Sequence, residues 1–306
     1  MATVTAKIKQ LLAQKDQQIL TGTAAVRSVL AQLRKQVLDE LQMTVGDSYT
    51  VYHLKQNKAM LERALAEFKT TAEREVTNQL NLVWQSGGEL LVDAAYAGEV
   101  YLGMQILPQT TLETLADFAF SRIDSLSNAA WNKVRAELTL GVLGQKTPHQ
   151  VTQAIAGSLD GPGVFKSLEL RAETIVKTEM GRTYSTATME GIKQAAKSVP
   201  ELQKEWWHAG HPKKPRINHL RLHGQRQPVD KPFLLGGLII DYPRSPGAPI
   251  QEVIGCGCEV VPWHPDWDKE SQKLDFFKRQ EISDSDVKDL DRGFSRLPKN
   301  AFQYGE

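Results

Sequence analysis

Two cysteines and two histidines in the last third of the chain have the residue types of a metal site. Cys256 and Cys258 are separated by one residue, so on a strand both thiols would share a face. His219 and His223 are four residues apart, which on a helix would place both rings on one side. Two sulfurs and two imidazoles are a ligand set of structural zinc, although the C-x-C spacing is tighter than usual. These four residues are therefore the predicted zinc ligands.

The same residues permit two other interpretations. Cys256 and Cys258 could be small buried side chains of a strand, with the histidines as ordinary polar residues. Cys256 could instead be a nucleophile with His219 as its base, which requires a depressed thiol pKa and an orienting partner. A disulfide across a single intervening residue would be strained, so reduced thiols in a cytosol-like compartment are the simpler expectation.

The segment from Lys204 to Lys231 is basic, although the whole chain has a net charge of only +1. It holds seven Lys or Arg residues against two acidic ones, Glu205 and Asp230. A local basic cluster suits contacts with phosphates, and a solvated loop face is the alternative. The candidate nucleic-acid-binding residues are Lys213, Lys214, Arg216, Arg221 and Arg226.

Glu179 is the acidic residue that could take part in catalysis. Together with His219 and His223 it could serve a metal- or His-dependent nuclease or transferase acting on nucleic acid. Such charged residues more often form an ion-pair network that locks a helix to a sheet. The sequence contains no glycine-rich loop of the P-loop or dinucleotide-binding type. We therefore predict no catalytic site, and we keep the nucleic-acid enzyme as the alternative.

Long helices are predicted to fill the first half of the chain. Apolar residues recur at three- and four-residue steps from Ile8 to Leu41, the pattern of an amphipathic helix. A second helix is predicted to end at Ser86–Gly88, and a third carries apolar residues from Leu112 to Leu138. Thr147-Pro148 opens a further helix, because Thr is a good N-cap and Pro suits the first helical position.

The second half changes character after the turn Asp160–Gly163, where we place a domain boundary. One more helix is predicted over 165–196, followed by strands around Trp206-Trp207, Pro228–Asp241 and Val253–Val261. The predicted fold class is α+β, a mostly helical N-terminal half followed by a small domain with a short, mainly antiparallel sheet. The predicted domains are a helical region at 1–160, an α+β domain at 161–263 and a charged tail at 264–306.

The composition is that of an ordinary globular protein. The 306 residues are 41% hydrophobic and 24% charged, enough to bury a core. The near-zero net charge argues against a general polyanion binder. No segment approaches the roughly 20 apolar residues of a membrane span, and the first residues are polar. We therefore expect a protein that is made and used in a cytoplasm.

Several motifs of the second half occur in an order that resembles the phage Mu F-like head-morphogenesis family. Arg171–Glu179 is similar to the family helix R-x-E-x-I-x-x-T-E, and Arg216–Gly224 to its R-x-x-H-x-x-x-x-G. Cys256–Pro262 resembles the family's C-R-C ending, which is followed by a short strand and proline. The family commonly has Asn where this chain has Gly255, and Arg where it has Gly257. The resemblance covers about residues 145–263.

The resemblance implies a minor capsid protein of a tailed bacteriophage, a structural protein rather than an enzyme. Its expected partners are the portal, the major capsid and scaffold proteins, and packaged double-stranded DNA, with no membrane. Its expected location is the virion, after assembly in the host cytoplasm. Arg216, His219, Cys256 and Cys258 would then hold the loops of the C-terminal domain together, directly or through zinc.

Overall fold

The computed structural model describes residues 3–43, 51–103, 105–143, 145–147, 150–151, 153–155, 164–209 and 215–267. The described residues are mostly helical, with a helical N-terminal half and a small antiparallel sheet on the C-terminal side. This arrangement confirms the predicted α+β fold class. In the part of the chain given above, no helix combines the length and the hydropathy that crossing a membrane requires.

Four long helices account for most of the helical content. They are α1 (Val4–Met43), α2 (Val51–Ala97), α3 (Gln109–Val142) and α4 (Val164–Ala195). The apolar stripe predicted for α1 is largely confirmed, because most of its members are buried while most of the polar residues between them are exposed or half-buried, with Lys15 and Thr23 as buried exceptions. The buried members are Ile8, Leu11, Leu12, Val26, Leu30, Leu33 and Val37.

The predicted break at Ser86–Gly88 is wrong, since α2 continues through it to Ala97. Gly87 allows two segments of the chain to pack closely instead of ending a helix. A Cβ atom at this position would lie 2.6 Å from the carbonyl oxygen of Tyr184 and 2.7 Å from the Cβ of Ala187, both in α4. The glycine therefore lacks a side chain because the backbone of α4 occupies that space.

Thr147 begins the next helical stretch, as predicted. Its hydroxyl oxygen accepts a hydrogen bond from the backbone N–H of Gln150 at 3.2 Å, and the Gln150 amide oxygen accepts one from the Thr147 N–H at 2.9 Å. This reciprocal pair is a capping box. Pro148, the boundary turn Asp160–Gly163 and most of the predicted charged tail lie outside the described residues.

The packing of the chain divides it into two compact units that do not follow sequence order. The helical unit comprises 13–87 and 107–187. The described residues of 1–12, 88–106 and 188–306 form the sheet unit, which contains the five strands that the structure describes. Each unit therefore combines segments that are distant in the sequence.

The sheet unit is built around β1 (Gln203–His208), which pairs antiparallel with β2 (Arg226–Pro228) and β5 (Cys258–Trp263). Strands β3 (Phe233–Leu235) and β4 (Leu238–Ile240) form a separate hairpin. Two short helices connect these strands, α5 (Ile217–Leu222) and α6 (Ile250–Val253). The strand predicted from Val253 therefore begins later, at Cys258, because the residues before it form α6 and a turn.

Trp206 is at the centre of the apolar core of the sheet unit. Its ring meets the ring of Phe233 edge-on with centroids 5.4 Å apart, and that of His219 at 5.6 Å. Edge-to-face pairs of this kind add to the stabilisation that comes from burying the rings. Both cysteines belong to this core, whose buried members are Trp206, Leu222, Phe233, Leu235, Ile240, Cys256 and Cys258.

Candidate metal centre

Three elements of the sheet unit bring His219, Cys256 and Cys258 together. His219 lies on α5 and points inward, with only 3% of its surface exposed. Cys258 is the first residue of β5, and Cys256 lies in the loop between α6 and that strand. We call these three residues the thiol–imidazole cluster. It joins a helix, a loop and a strand that are up to 39 residues apart in the sequence.

Gly255 makes the turn that aims Cys256 inward. Its φ of +65° lies in the left-handed region, which glycine adopts without strain. Asparagine is the non-glycine residue that tolerates this region best, together with aspartate and histidine. The backbone at this position therefore accepts either Gly or the Asn that is common in the phage Mu F-like family.

The ligand atoms of the thiol–imidazole cluster converge on one point. The Nδ1 atom of His219 lies 3.4 Å from the sulfur of Cys256 and 3.6 Å from the sulfur of Cys258. All three ligand atoms lie within 4.8 Å of one another, and all three residues are buried. This cluster could hold a metal ion.

Glu252 fixes the orientation of the His219 ring. The Nε2–H of His219 donates a hydrogen bond to the Glu252 carboxylate at 2.7 Å, and this leaves Nδ1 facing the two sulfurs. This hydrogen bond lowers the pKa of Glu252 despite its partial burial. Burial lowers the pKa of His219, but hydrogen bonds with Cys256 and Glu252 outweigh it and raise that pKa overall. A carboxylate behind the distal nitrogen is the usual support of a metal-binding histidine.

The pKa values of the two thiols are shifted in opposite directions. A hydrogen bond from Cys258 lowers the pKa of Cys256 well below its ordinary value, with His219 and Arg244 adding to the effect against burial. The same hydrogen bond and burial raise the pKa of Cys258. The Cys256 sulfur also accepts a hydrogen bond from the backbone N–H of Cys258 at 3.4 Å. A thiolate in a buried pocket is a ready ligand for a cation.

Arg244 supplies a buried positive charge beside the thiol–imidazole cluster. Its guanidinium pairs with the fully buried carboxylate of Glu259 on β5, and its Nε–H donates to the Cys256 carbonyl at 3.1 Å. Burial lowers the pKa of Arg244, but Glu259 outweighs it and raises that pKa. The φ of Arg244 is +61°, an uncommon conformation for a residue with a side chain. The turn accepts this backbone conformation while the guanidinium is anchored on both sides.

Arg216 joins α5 to the loop that carries the cysteines. Its guanidinium donates a hydrogen bond to the Ile254 carbonyl at 2.7 Å and lies 3.8 Å from the Glu252 carboxylate. Arg216 and His219, the two defining residues of the R-x-x-H motif, therefore both contact the segment that immediately precedes Cys256. This places the motif residues in one network of side chains.

The structure places His223 outside the thiol–imidazole cluster. Helix α5 ends at Leu222, so the four-residue helical spacing that would align His223 with His219 does not apply. The Nδ1 of His223 instead accepts the backbone N–H of His208 at 3.0 Å, and its ring packs edge-on against Trp207. Burial, followed by the charge of Lys9, lowers the pKa of His223.

His208 also lies near the cysteines, although the sequence patterns did not indicate it as a ligand. It ends β1 directly opposite Cys258, and its Nδ1 lies 3.6 Å from the Cys258 sulfur. Only the pairing of β1 with β5 creates this contact, across 50 residues of sequence. The alternating pattern of the Trp206-Trp207 strand could have indicated that His208 shares the inward face of Trp206.

The predicted nucleic-acid-binding residues have different environments. Arg226 stacks over the ring of Trp263 at 4.0 Å and donates to Glu205 at 2.9 Å, and Arg216 serves the network described above. Arg221 is exposed, whereas Lys213 and Lys214 lie outside the described residues. Lys204, which added to the basic count, is buried and has a pKa lowered to about 8 by burial.

Glu179, the acidic residue of the alternative nuclease, belongs to the helical unit, whereas His219 and His223 belong to the sheet unit. Its carboxylate accepts a hydrogen bond from Arg182 at 2.9 Å within the same helix. Burial raises the pKa of Glu179 despite the opposing effect of Arg182. The ion pair that Glu179 forms with Arg182 therefore links two residues of one helix.

No family model, curated protein or solved structure matches this chain.

Proposed function

We propose that the protein is a structural component of a tailed-phage head, a minor capsid protein that acts in head assembly near the portal. The supporting observation is that the residues of the R-x-x-H and C-x-C motifs lie close together in the structure. Arg216, His219, Cys256 and Cys258 occupy the positions that resemble the phage Mu F-like motifs, and they meet in one network in which His219 and both cysteines are buried. Motifs in the right order that also meet in space support a common fold better than their order alone.

The burial of His219, Cys256 and Cys258 favours a structural role for them over a catalytic one. The exposed fractions of His219, Cys256 and Cys258 are 3%, 7% and 1%. The nitrogen of His219 that faces away from the sulfurs is bonded to Glu252, and Arg216 bonds the backbone of the loop. These groups therefore bind one another and hold α5 against the loop before β5. A rigid loop arrangement of this kind suits an assembly module that must present a fixed surface to its partners.

We also propose that the metal held by the thiol–imidazole cluster is zinc. Bond lengths of about 2.3 Å to sulfur and about 2.0 Å to nitrogen, at tetrahedral angles, separate bound sulfur and nitrogen atoms by about 3.5 Å. The two separations between His219 Nδ1 and the sulfurs, 3.4 and 3.6 Å, agree with that value. Thiolate and imidazole ligands favour zinc over magnesium or calcium, which prefer oxygen.

The assembly role is tested by sedimenting a lysate of cells that produce the phage and probing gradient fractions for this chain. We expect the protein to sediment with portal-containing procapsids and mature particles. Its absence from both classes of particle would contradict the proposed function. A matched pair of variants sharpens the result. Cys258→Ser should reduce incorporation because it removes a cluster residue, whereas Gly103→Ala, in open space outside the sheet, should incorporate normally.

A further inference from the structure

We propose that His208 is the fourth ligand of the metal centre, so that zinc is held by His208, His219, Cys256 and Cys258 in a closed tetrahedral site. This inference rests on the proposal that the thiol–imidazole cluster binds zinc, and it replaces His223 with His208. It also specifies the kind of site: a structural centre, in which all four positions are occupied by the protein.

Strand pairing places His208 in position to bind. His208 and Cys258 are directly opposite each other where β1 and β5 pair, so their side chains stand on the same face of the sheet. The Nδ1 of His208 and the sulfur of Cys258 are 3.6 Å apart. That distance equals the one between His219 Nδ1 and the same sulfur, and it fits the edge of about 3.5 Å expected for sulfur and nitrogen around zinc.

Two imidazole nitrogens, Nδ1 of His208 and Nδ1 of His219, therefore each lie 3.6 Å from the Cys258 sulfur. His219 approaches from α5, with Glu252 behind its ring. His208 approaches from the end of β1, where its backbone N–H is bonded to His223. One ion would thus join β1, helix α5 and the loop before β5.

His208 is only half-buried and does not belong to the group of three whose ligand atoms all lie within 4.8 Å of one another. The other three ligands are buried. This difference makes His208 the ligand at the solvent-facing rim, where the ion enters. Its ring must move inward when the metal binds, a rotation that an exposed or half-exposed side chain makes readily.

The number of protein ligands decides what the metal does. Catalytic zinc sites have three protein ligands and keep the fourth position for water or substrate, whereas structural sites are closed. With His208 bound, no position remains for an attacking water. The site would then contribute folding free energy to the sheet unit, in agreement with an assembly protein and against the hydrolytic alternative.

The test replaces zinc by Co²⁺ in the full-length protein and records its visible absorption. We expect the wild type to give the intense bands of four-coordinate cobalt together with sulfur-to-cobalt charge transfer. His208→Ala should weaken the visible bands, as water enters and the coordination number rises, and should lower zinc affinity by more than about 100-fold, beyond the loss from a supporting residue. His264→Ala is the matched control, because His264 contacts Asp266 and Trp267, and it should keep the wild-type spectrum.

His208→Cys provides a result that misfolding cannot imitate. A third sulfur should preserve the four-coordinate bands and increase the charge-transfer absorption. An unchanged spectrum in both His208 variants would overturn the inference, as would loss of the four-coordinate bands in His264→Ala alone. If the wild type binds Co²⁺ and Zn²⁺, and His208→Ala has the same cobalt spectrum and zinc affinity, the zinc proposal would stand but His208 would not be a ligand. Wild-type protein that binds neither metal would overturn both.

Discussion

Cys258→Ser is expected to abolish metal binding and to unfold the sheet unit. The Cys258 sulfur lies within hydrogen-bonding distance of His208 and His219, and no other residue joins the two imidazoles in this way among the contacts of the described residues. Structural zinc contributes apparent binding free energies of about 10–16 kcal/mol in zinc-finger peptides. A loss of that size equals or exceeds the total stability of many domains, which is about 5–15 kcal/mol.

Hydrogen exchange at the backbone amides of β1 and β5 measures this effect directly. The amides of these paired strands should lose protection in Cys258→Ser, and a chelator should have the same effect on the wild type. Val260→Ala is the matched control, because Val260 is fully buried two residues further along the same strand. It should cost about 0.5–3 kcal/mol, in the usual range of single substitutions, and should remain sensitive to the chelator. Equal protection in Cys258→Ser and the wild type, with no chelator effect in either, would contradict the prediction.

Arg244→Met is expected to destabilise the sheet unit by about 3–5 kcal/mol, since removing one member of a buried ion pair leaves the other charge uncompensated. The partner left behind is Glu259, which has no exposed surface. The substitution also removes the hydrogen bonds that Arg244 donates to the Cys256 carbonyl. The midpoint and slope of urea unfolding, followed by tryptophan fluorescence, provide the measurement. Trp206 and Trp207 report on this region because they lie on β1, which pairs with the strand that carries Glu259.

The double variant Arg244→Met with Glu259→Gln separates the charge from the packing. It should recover a large part of the loss, because no unpaired charge remains in the interior. Arg221→Met, at an exposed arginine of the same unit, should change stability by less than about 0.5 kcal/mol. A stability of Arg244→Met equal to that of Arg221→Met would show that the buried pair does not hold the loop.

Local periodicity predicted the long helices well but failed where backbones pack closely. The stripe from Ile8 to Val37 is buried as its spacing indicates, since a helix of that length needs an apolar face to be stable. The local sequence misleads at Gly87 because the reason for the glycine lies in α4, about 100 residues later in the chain. A glycine pair ends a helix or admits a neighbour, and the local sequence is the same in both cases.

The candidate site was predicted in part for a related reason. His219, Cys256 and Cys258 are close in space as their residue types suggested. The pairing of His219 with His223 assumed a helix that continues beyond Leu222, whereas α5 ends there after six residues. His208 and Arg244 depend on strand register and on a turn with positive φ, which are set by contacts between distant segments. Such contacts leave no periodic signal in one sequence.

The metal content of the intact chain, purified without added metal and without an affinity tag that binds metal, tests the central claim most directly. If the thiol–imidazole cluster fastens the sheet unit through an ion, elemental analysis should find about one zinc per chain, in line with a single four-ligand site. The zinc should leave only as the protection of β1 and β5 is lost. A zinc-to-protein ratio near zero in protein whose β1 and β5 amides are fully protected would contradict the account.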